Sequence, residues 1–203
     1  MSDRPTAVDL TILQGRTFRK VVRWESARFA TAAIAAMSQA GSVQITTPLA
    51  HGIPDGWRVA VVDAKGMTEL NAQNNPPKAK DFREATVVSP TIIEFNAVSS
   101  AAYRAYSSGG FLKWRVPHDL AGYTARMTIK DRVGGTALLT LTSANGGITV
   151  DDAEKLIELF LDDVSTAAIT WTSAVYDLEM VSPSGDVTAI LTGAVSVEQE
   201  ITT

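Results

Sequence analysis

Cysteine is absent from the 203 residues. Its absence excludes disulfides, thiolate zinc sites and cysteine nucleophiles, and leaves the redox compartment open. Histidine is nearly absent as well: only His51 and His118 occur, and they fall in segments that read as different domains. A catalytic histidine needs an oriented nucleophile beside it, and His51 has only Thr46 and Thr47 as neighbouring hydroxyls, so it reads as a turn residue. Basic residues are not in excess, with 18 Lys and Arg against 22 Asp and Glu for a net charge of −4. Nothing therefore points to nucleic acid or to an anionic membrane as a partner. No apolar run approaches the ~20 residues a membrane span needs, the most apolar stretch being Phe29 to Met37. The opening MSDRPTAVDL has no apolar run after its charges and does not read as a signal peptide, so the expectation is a soluble protein made in the cytoplasm. Metal and nucleotide signatures are lacking too. Asp151, Asp152 and Glu154, and likewise Asp162 and Asp163, are acidic clusters without the glycine and distal glutamate of a calcium loop, so they read as turn and cap residues. Gly66, Gly109 and Gly110 belong to no GxxxxGK[ST] cradle and read as turn glycines. The expectation is no enzyme, no cofactor and no metal.

What is present is a foldable β chain. Hydrophobic residues make up 45% and charged residues 20%, enough to build a core and too apolar for disorder. The organising stretch is Ala174 to Val197. Tyr176, Leu178 and Met180 alternate with Val175, Asp177 and Glu179, Pro183 to Asp186 make a turn, and Val187, Ala189 and Leu191 resume the alternation. The pattern predicts the central hairpin of a β-sandwich. Before it, Asp9 to Leu13 and Thr17 to Trp24 read as the first two strands of a sheet, bent apart at Gly15. Tyr123 to Lys130, Ala137 to Leu141, Ile148 to Val150 and Lys155 to Leu161 read as further strands. Asp162 to Ala168 reads as a helical crossover capped by Asp163 or Ser165, followed by Trp171. About seven strands lie outside the middle segment, the number in an immunoglobulin-like sandwich, with Tyr176 placed like a tyrosine corner.

The middle segment has a different texture. Alanine-rich Ala30 to Met37 suits a short helix by propensity and equally a strand and turn. Ser42 to Thr47, Trp57 to Val62, Glu84 to Val88, Thr91 to Phe95 and Phe111 to Arg115 read as short strands at close spacing. They are separated by turns and by the polar Asn71 to Lys80 loop, which no regular element can cross. The expectation is a small β-barrel over residues 27–116, inserted into a sandwich formed by residues 1–26 and 117–203.

Two resemblances bear on this parsing. The frame carries DLTILQG, TFRKVVRW, DLAGYTARMTIKD, NGGITV, STAAITW, VYDLEMVSPSGDVTAILTG and SVEQEIT. It resembles the immunoglobulin-like domain at the N-terminus of phage upper baseplate proteins and in short phage tail proteins. The insertion carries VQITTPLAHGIPDGWRVAVVDAKGMTELN, TIIEFNAV and YRAYSSGG. It is similar to a small β-barrel module that recurs in phage tail proteins and is related to a domain of ubiquitin-activating enzymes, from which the Asn71 to Lys80 loop departs by extra length. The resemblances imply a non-enzymatic virion structural protein of the tail, baseplate or fibre attachment, in symmetric copies and bound to other virion proteins. A capsid or neck decoration or connector protein is the variant of this reading. A glycan-binding module is the alternative, with Tyr103, Tyr106 and Trp57 as its candidate platform. Arg16, Arg19, Lys20, Arg23 and Arg28 give the N-terminal strand a basic side that suits an edge guarded by charge. Trp24, Trp57, Trp114 and Trp171 read as core residues.

Overall fold

Alternation of apolar and polar side chains becomes a strand wherever one face can be buried, and the computed structural model, which describes residues 4–200, follows it almost throughout. Strands hold 49% and helices 6% of the residues, so the class is all-β with several antiparallel sheets. The chain divides into two compact units: a first, running to Trp24 and resuming at His118, and a second, Glu25–Pro117. In chain order the first unit opens with β1 (Thr6–Ala7), β2 (Leu10–Leu13) and β3 (Phe18–Val22). The second contains β4 (Glu25–Ala33), β5 (Ala36–Met37), β6 (Val43–Thr46), β7 (Trp57–Val62), β8 (Arg83–Ser89), β9 (Ile92–Phe95) and β10 (Phe111–Pro117). The first then resumes with β11 (Thr124–Lys130), β12 (Ala137–Thr142), β13 (Ile148–Asp151), β14 (Leu156–Leu161), α1 (Asp163–Ala167), β15 (Ser173–Val181) and β16 (Val187–Glu198).

The first unit holds two sheets around one core. The larger has the order β1-β16-β15-β11-β12, with β2 also on β16, and the smaller the order β13-β14-β3. Ile12, Met127, Ile129, Leu178 and Met180 from one meet Val22, Ile148, Ile157 and Leu159 from the other. The β15–β16 hairpin lies inside its sheet, and Tyr176, Leu178 and Met180 are its buried face.

Val187 and Ala189 are exposed, whereas the adjacent Ile190 and Leu191 are both buried. The register explains it: Leu178 faces Leu191 while Glu179 faces Ala189, so Ile190 is the extra residue of a β-bulge that resets the faces. The first two long strands do not share a sheet. β2 runs parallel to β16, and β3 pairs antiparallel with β14. Gly15, at φ 72°, turns the chain from one layer to the other, and Gln14 anchors that turn by donating to the Ile169 carbonyl at 2.8 Å. Among the described residues the unit has nine strands where about seven were expected, and the one not foreseen is the two-residue β1, which lies along β16. Asp162 caps α1, its Oδ1 accepting the Ser165 N–H at 2.7 Å. Tyr176 is not a tyrosine corner, since its hydroxyl donates to Val8 rather than to backbone just upstream, at 2.8 Å.

The second unit is one sheet in the order β4-β10-β7-β8-β9-β6-β5. Its two ends are consecutive pieces of chain. Ile34 N donates to the Gly110 carbonyl beside β10, and Ala35 N to the Thr46 carbonyl of β6. The alanine-rich segment is therefore a strand, because ladder pairing on both sides outweighs a few tenths of a kcal/mol of helix propensity per residue. Trp57, Ile93, Phe95, Leu70 and Leu112 fill its core.

Among the named strands β12 is one edge of the larger sheet, opposite the end where β1 and β2 lie, and ALLTLT carries no charge or proline to guard it. Asn145 does so instead. Its Nδ2 donates to the Thr140 carbonyl at 3.0 Å and its Oδ1 accepts the Thr142 N–H at 2.8 Å. These are the outward backbone groups that an added strand would use. Asn145→Ala is expected to cost about 1–2 kcal/mol and to produce concentration-dependent scattering at temperatures where the parent chain stays clear. Clear solutions of the variant would count against this guard.

Candidate functional site

The second unit carries a groove of about 550 Å³ lined by Glu25, Arg58, Arg115, Phe82 and the Asn74–Ala79 loop. Its charged floor comes from three strands. β10 pairs with β4 on one side and β7 on the other, placing Glu25 opposite Pro117 and bringing Arg58 of β7 near. Arg58 holds Glu25 Oε1 with Nε at 2.9 Å and Nη2 at 2.8 Å. Arg115 Nε lies 3.8 Å from Oε2, and its Nη1 donates to the Ala27 carbonyl at 3.3 Å. Glu25 is only 15% exposed while Arg58 is 54% exposed, so the carboxylate is sunk between cations that face outward. Beside the floor Phe29 lies parallel to Phe82 at 6.4 Å, with Lys113 and Arg115 over the Phe29 ring at 5.0 and 4.7 Å.

The loop wall is tied by one buried carboxylate. Asp81 Oδ1 accepts the Gln73 N–H at 3.0 Å, and Oδ2 accepts the Asn74 side-chain amide and the Lys78 N–H, both at 2.8 Å. These bonds, the one from Lys78 foremost, hold its pKa down to about 2. An unfolded aspartate titrates near 3.9. The loop's contribution is therefore complete above about pH 4 and is lost as pH falls toward 2. NMR should show the Gln73 and Lys78 amides losing protection across that window while core amides of β7 hold. Asp81→Asn should loosen them already at neutral pH. Amides that stay protected at pH 2 would refute the assignment.

Other residues singled out in the sequence serve the fold. His51 is buried, its Nδ1 accepting the Ile53 N–H at 2.9 Å and its Nε2 facing the Ser89 carbonyl at 3.1 Å. The nearby Thr47 hydroxyl is turned to the Leu49 carbonyl at 2.7 Å. No base–nucleophile pair forms there. His118 lies in the other unit, stacked on Trp24 at 3.8 Å with Tyr123 edge-on to both, and its backbone N–H donates to the Trp24 carbonyl at 2.9 Å. Asp151 takes the Glu154 N–H, and Asp152 takes the Leu120 N–H and Lys155. Among the described residues no three His, Asp or Glu are placed to hold a metal. Arg19 pairs with Glu158 at 2.7 Å and lies over Phe160, and Arg23 donates to the Glu154 carbonyl. Trp57 and Trp114 are core, and Trp24 and Trp171 pack against core.

The sugar platform is not assembled. Trp57 is fully buried, Tyr103 and Tyr106 pack half-buried against the same core, and the Tyr106 hydroxyl lies 3.0 Å from the Ile34 carbonyl and 2.9 Å from that of Gly109. Gly66 and Gly110 are close-approach glycines, since a Cβ on them would sit 2.1 Å from the Ala105 carbonyl oxygen and 2.7 Å from the Ala64 Cα. The groove itself escaped sequence reading because its residues are scattered over three strands and a loop. The available signal was Arg58 and Arg115 at outward positions of strands whose other faces are apolar. Compared with known proteins, the chain matches no family model and no curated protein.

Proposed function

We propose that the first unit is an immunoglobulin-like sandwich, that the second is a small barrel inserted into it, and that the chain is a non-enzymatic structural protein of a phage virion. Its place in this reading is the tail, baseplate or fibre attachment, and it acts by assembling with other virion proteins. The observation that carries the fold reading is strand order. In the small sheet β3, β14 and β13 stand as strands B, E and D of such a sandwich, and in the large sheet β11, β15 and β16 stand as C, F and G, with β12 as C′. The second unit then interrupts the chain between B and C. Its sheet order, with β4 and β5 consecutive at opposite ends, supports reading those two as one strand and the sheet as six strands closing on themselves, which removes edges.

Fold alone does not assign function. The functional step rests on the resemblance of both segments to phage tail modules, and on a site built of exposed cations and fixed loops rather than an oriented nucleophile and base. Cryo-electron microscopy of the particle that carries this chain tests it. Ordered symmetric copies at the tail or baseplate are the expected result. Copies confined to the head or neck would replace the assignment with the connector variant, and a particle without the chain would overturn it.

A further inference from the structure

Charge is divided unevenly along the chain. The second unit carries nine Lys and Arg against seven Asp and Glu, a net of +2, and the remaining residues carry nine against fifteen, a net of −6. The groove accounts for the surplus, because Arg58, Arg115 and Lys78 line it against the single carboxylate of Glu25. Its walls are stiff. Pro76 and the half-buried Phe82 give apolar surface with little rotamer freedom to lose, and the Asp81 bonds fix the loop in advance.

We propose that this groove receives carboxylates from the first unit of a second copy of the chain, so that copies associate head to tail. The chain itself supplies the complement, since its other unit is strongly acidic. A symmetric groove-to-groove contact would set like charges together. A contact between two different surfaces leaves one groove and one acidic surface open on every unclosed complex, and so propagates until a ring closes or a filament forms. The inference rests on the multi-copy virion reading and names the surface that would build it. Because the cations are exposed, the association is salt-sensitive and steered by charge more than driven by burial.

Sedimentation velocity on the full chain, over a range of concentrations at about 20 mM and about 500 mM NaCl, tests it. The expected result is species growing past dimer with concentration at low salt and collapsing to monomer at high salt. Lys78→Glu should weaken association about tenfold or more, whereas Lys80→Glu, the same charge change outside the groove lining, should leave it nearly unchanged. Matching thermal melts exclude misfolding of either variant. A monomer at every salt and concentration, a species that stops at dimer, or equal weakening by both variants would each overturn the proposal. Monomer in solution with ordered copies in the particle would sink this inference alone, and salt-dependent oligomers with no copies in the particle would sink the virion reading alone.

Discussion

Trp57→Ala is expected to cost about 3–5 kcal/mol, enough to unfold the second unit or bring it to the edge of unfolding. Trp57 starts β7 with its ring wholly buried in the second core. Its indole N–H donates to the Arg115 carbonyl at 2.8 Å. Truncation leaves a cavity the size of an indole and removes the donor on a carbonyl next to the groove floor. Trp57→Phe separates these effects, keeping most of the burial and losing the hydrogen bond for about 1–3 kcal/mol. Urea unfolding followed by amide signals of β7 and, separately, of β15 gives the measurement. The β7 midpoint should fall steeply. An alanine variant within 1 kcal/mol of the parent would mean that the core repacks around the loss.

Gly193→Ala should be nearly as damaging, at about 3 kcal/mol, although it adds one methyl group. A Cβ at position 193 would stand 2.1 Å from the Val8 carbonyl oxygen. That oxygen also receives the Tyr176 hydroxyl, and the Val8 N–H donates to the Thr192 carbonyl at 2.8 Å. The methyl group cannot be placed without pushing the N-terminal strand from β16, which removes both bonds together. Tyr176→Phe removes only the hydroxyl and should cost less, about 1–2 kcal/mol.

The same tyrosine gives an alkaline signature. Burial, reinforced by Asp9 and Asp177, pushes its pKa up to about 12. The folded value lies above the unfolded value near 10. The linked stability is therefore complete below about pH 10 and is lost as pH rises to about 12. Tyr176→Phe should flatten the stability profile in that window. A Gly193→Ala chain that melts with the parent would show that the N-terminal strand moves aside at no cost.

The sequence was most legible where burial has period two. Ala125, Met127 and Ile129 are buried as the alternation of β11 predicts, and so are Tyr176, Leu178 and Met180. It was least legible where a single residue or a distant partner decides. Ile190 and Leu191 look like any apolar pair until the register with β15 makes one of them a bulge. Gly15 reads as a bend, but nothing local says that the bend changes sheets, because the partners, β14 and β16, lie far along the chain. The loop through Asn74 and Lys78 looks shapeless until Asp81 is seen to hold it, although the donors lie within eight residues. The groove needed all of these at once, since two strand neighbours of β10 and one ordered loop must converge to form it.

The stack of His118 on Trp24 has a consequence for how the gene product can be taken apart. The last residue before the second unit and the first after it are already joined, ring on ring and by a backbone hydrogen bond. The second unit closes its own ends in the same way, with Glu25 paired to Pro117. To the first unit, everything between is therefore a loop whose ends are pinned together, and loop length is thermodynamically cheap. The inserted segment behaves as a cassette: a short turn could replace it, and a different small domain with adjacent termini could be spliced in, without either β layer of the host losing a strand.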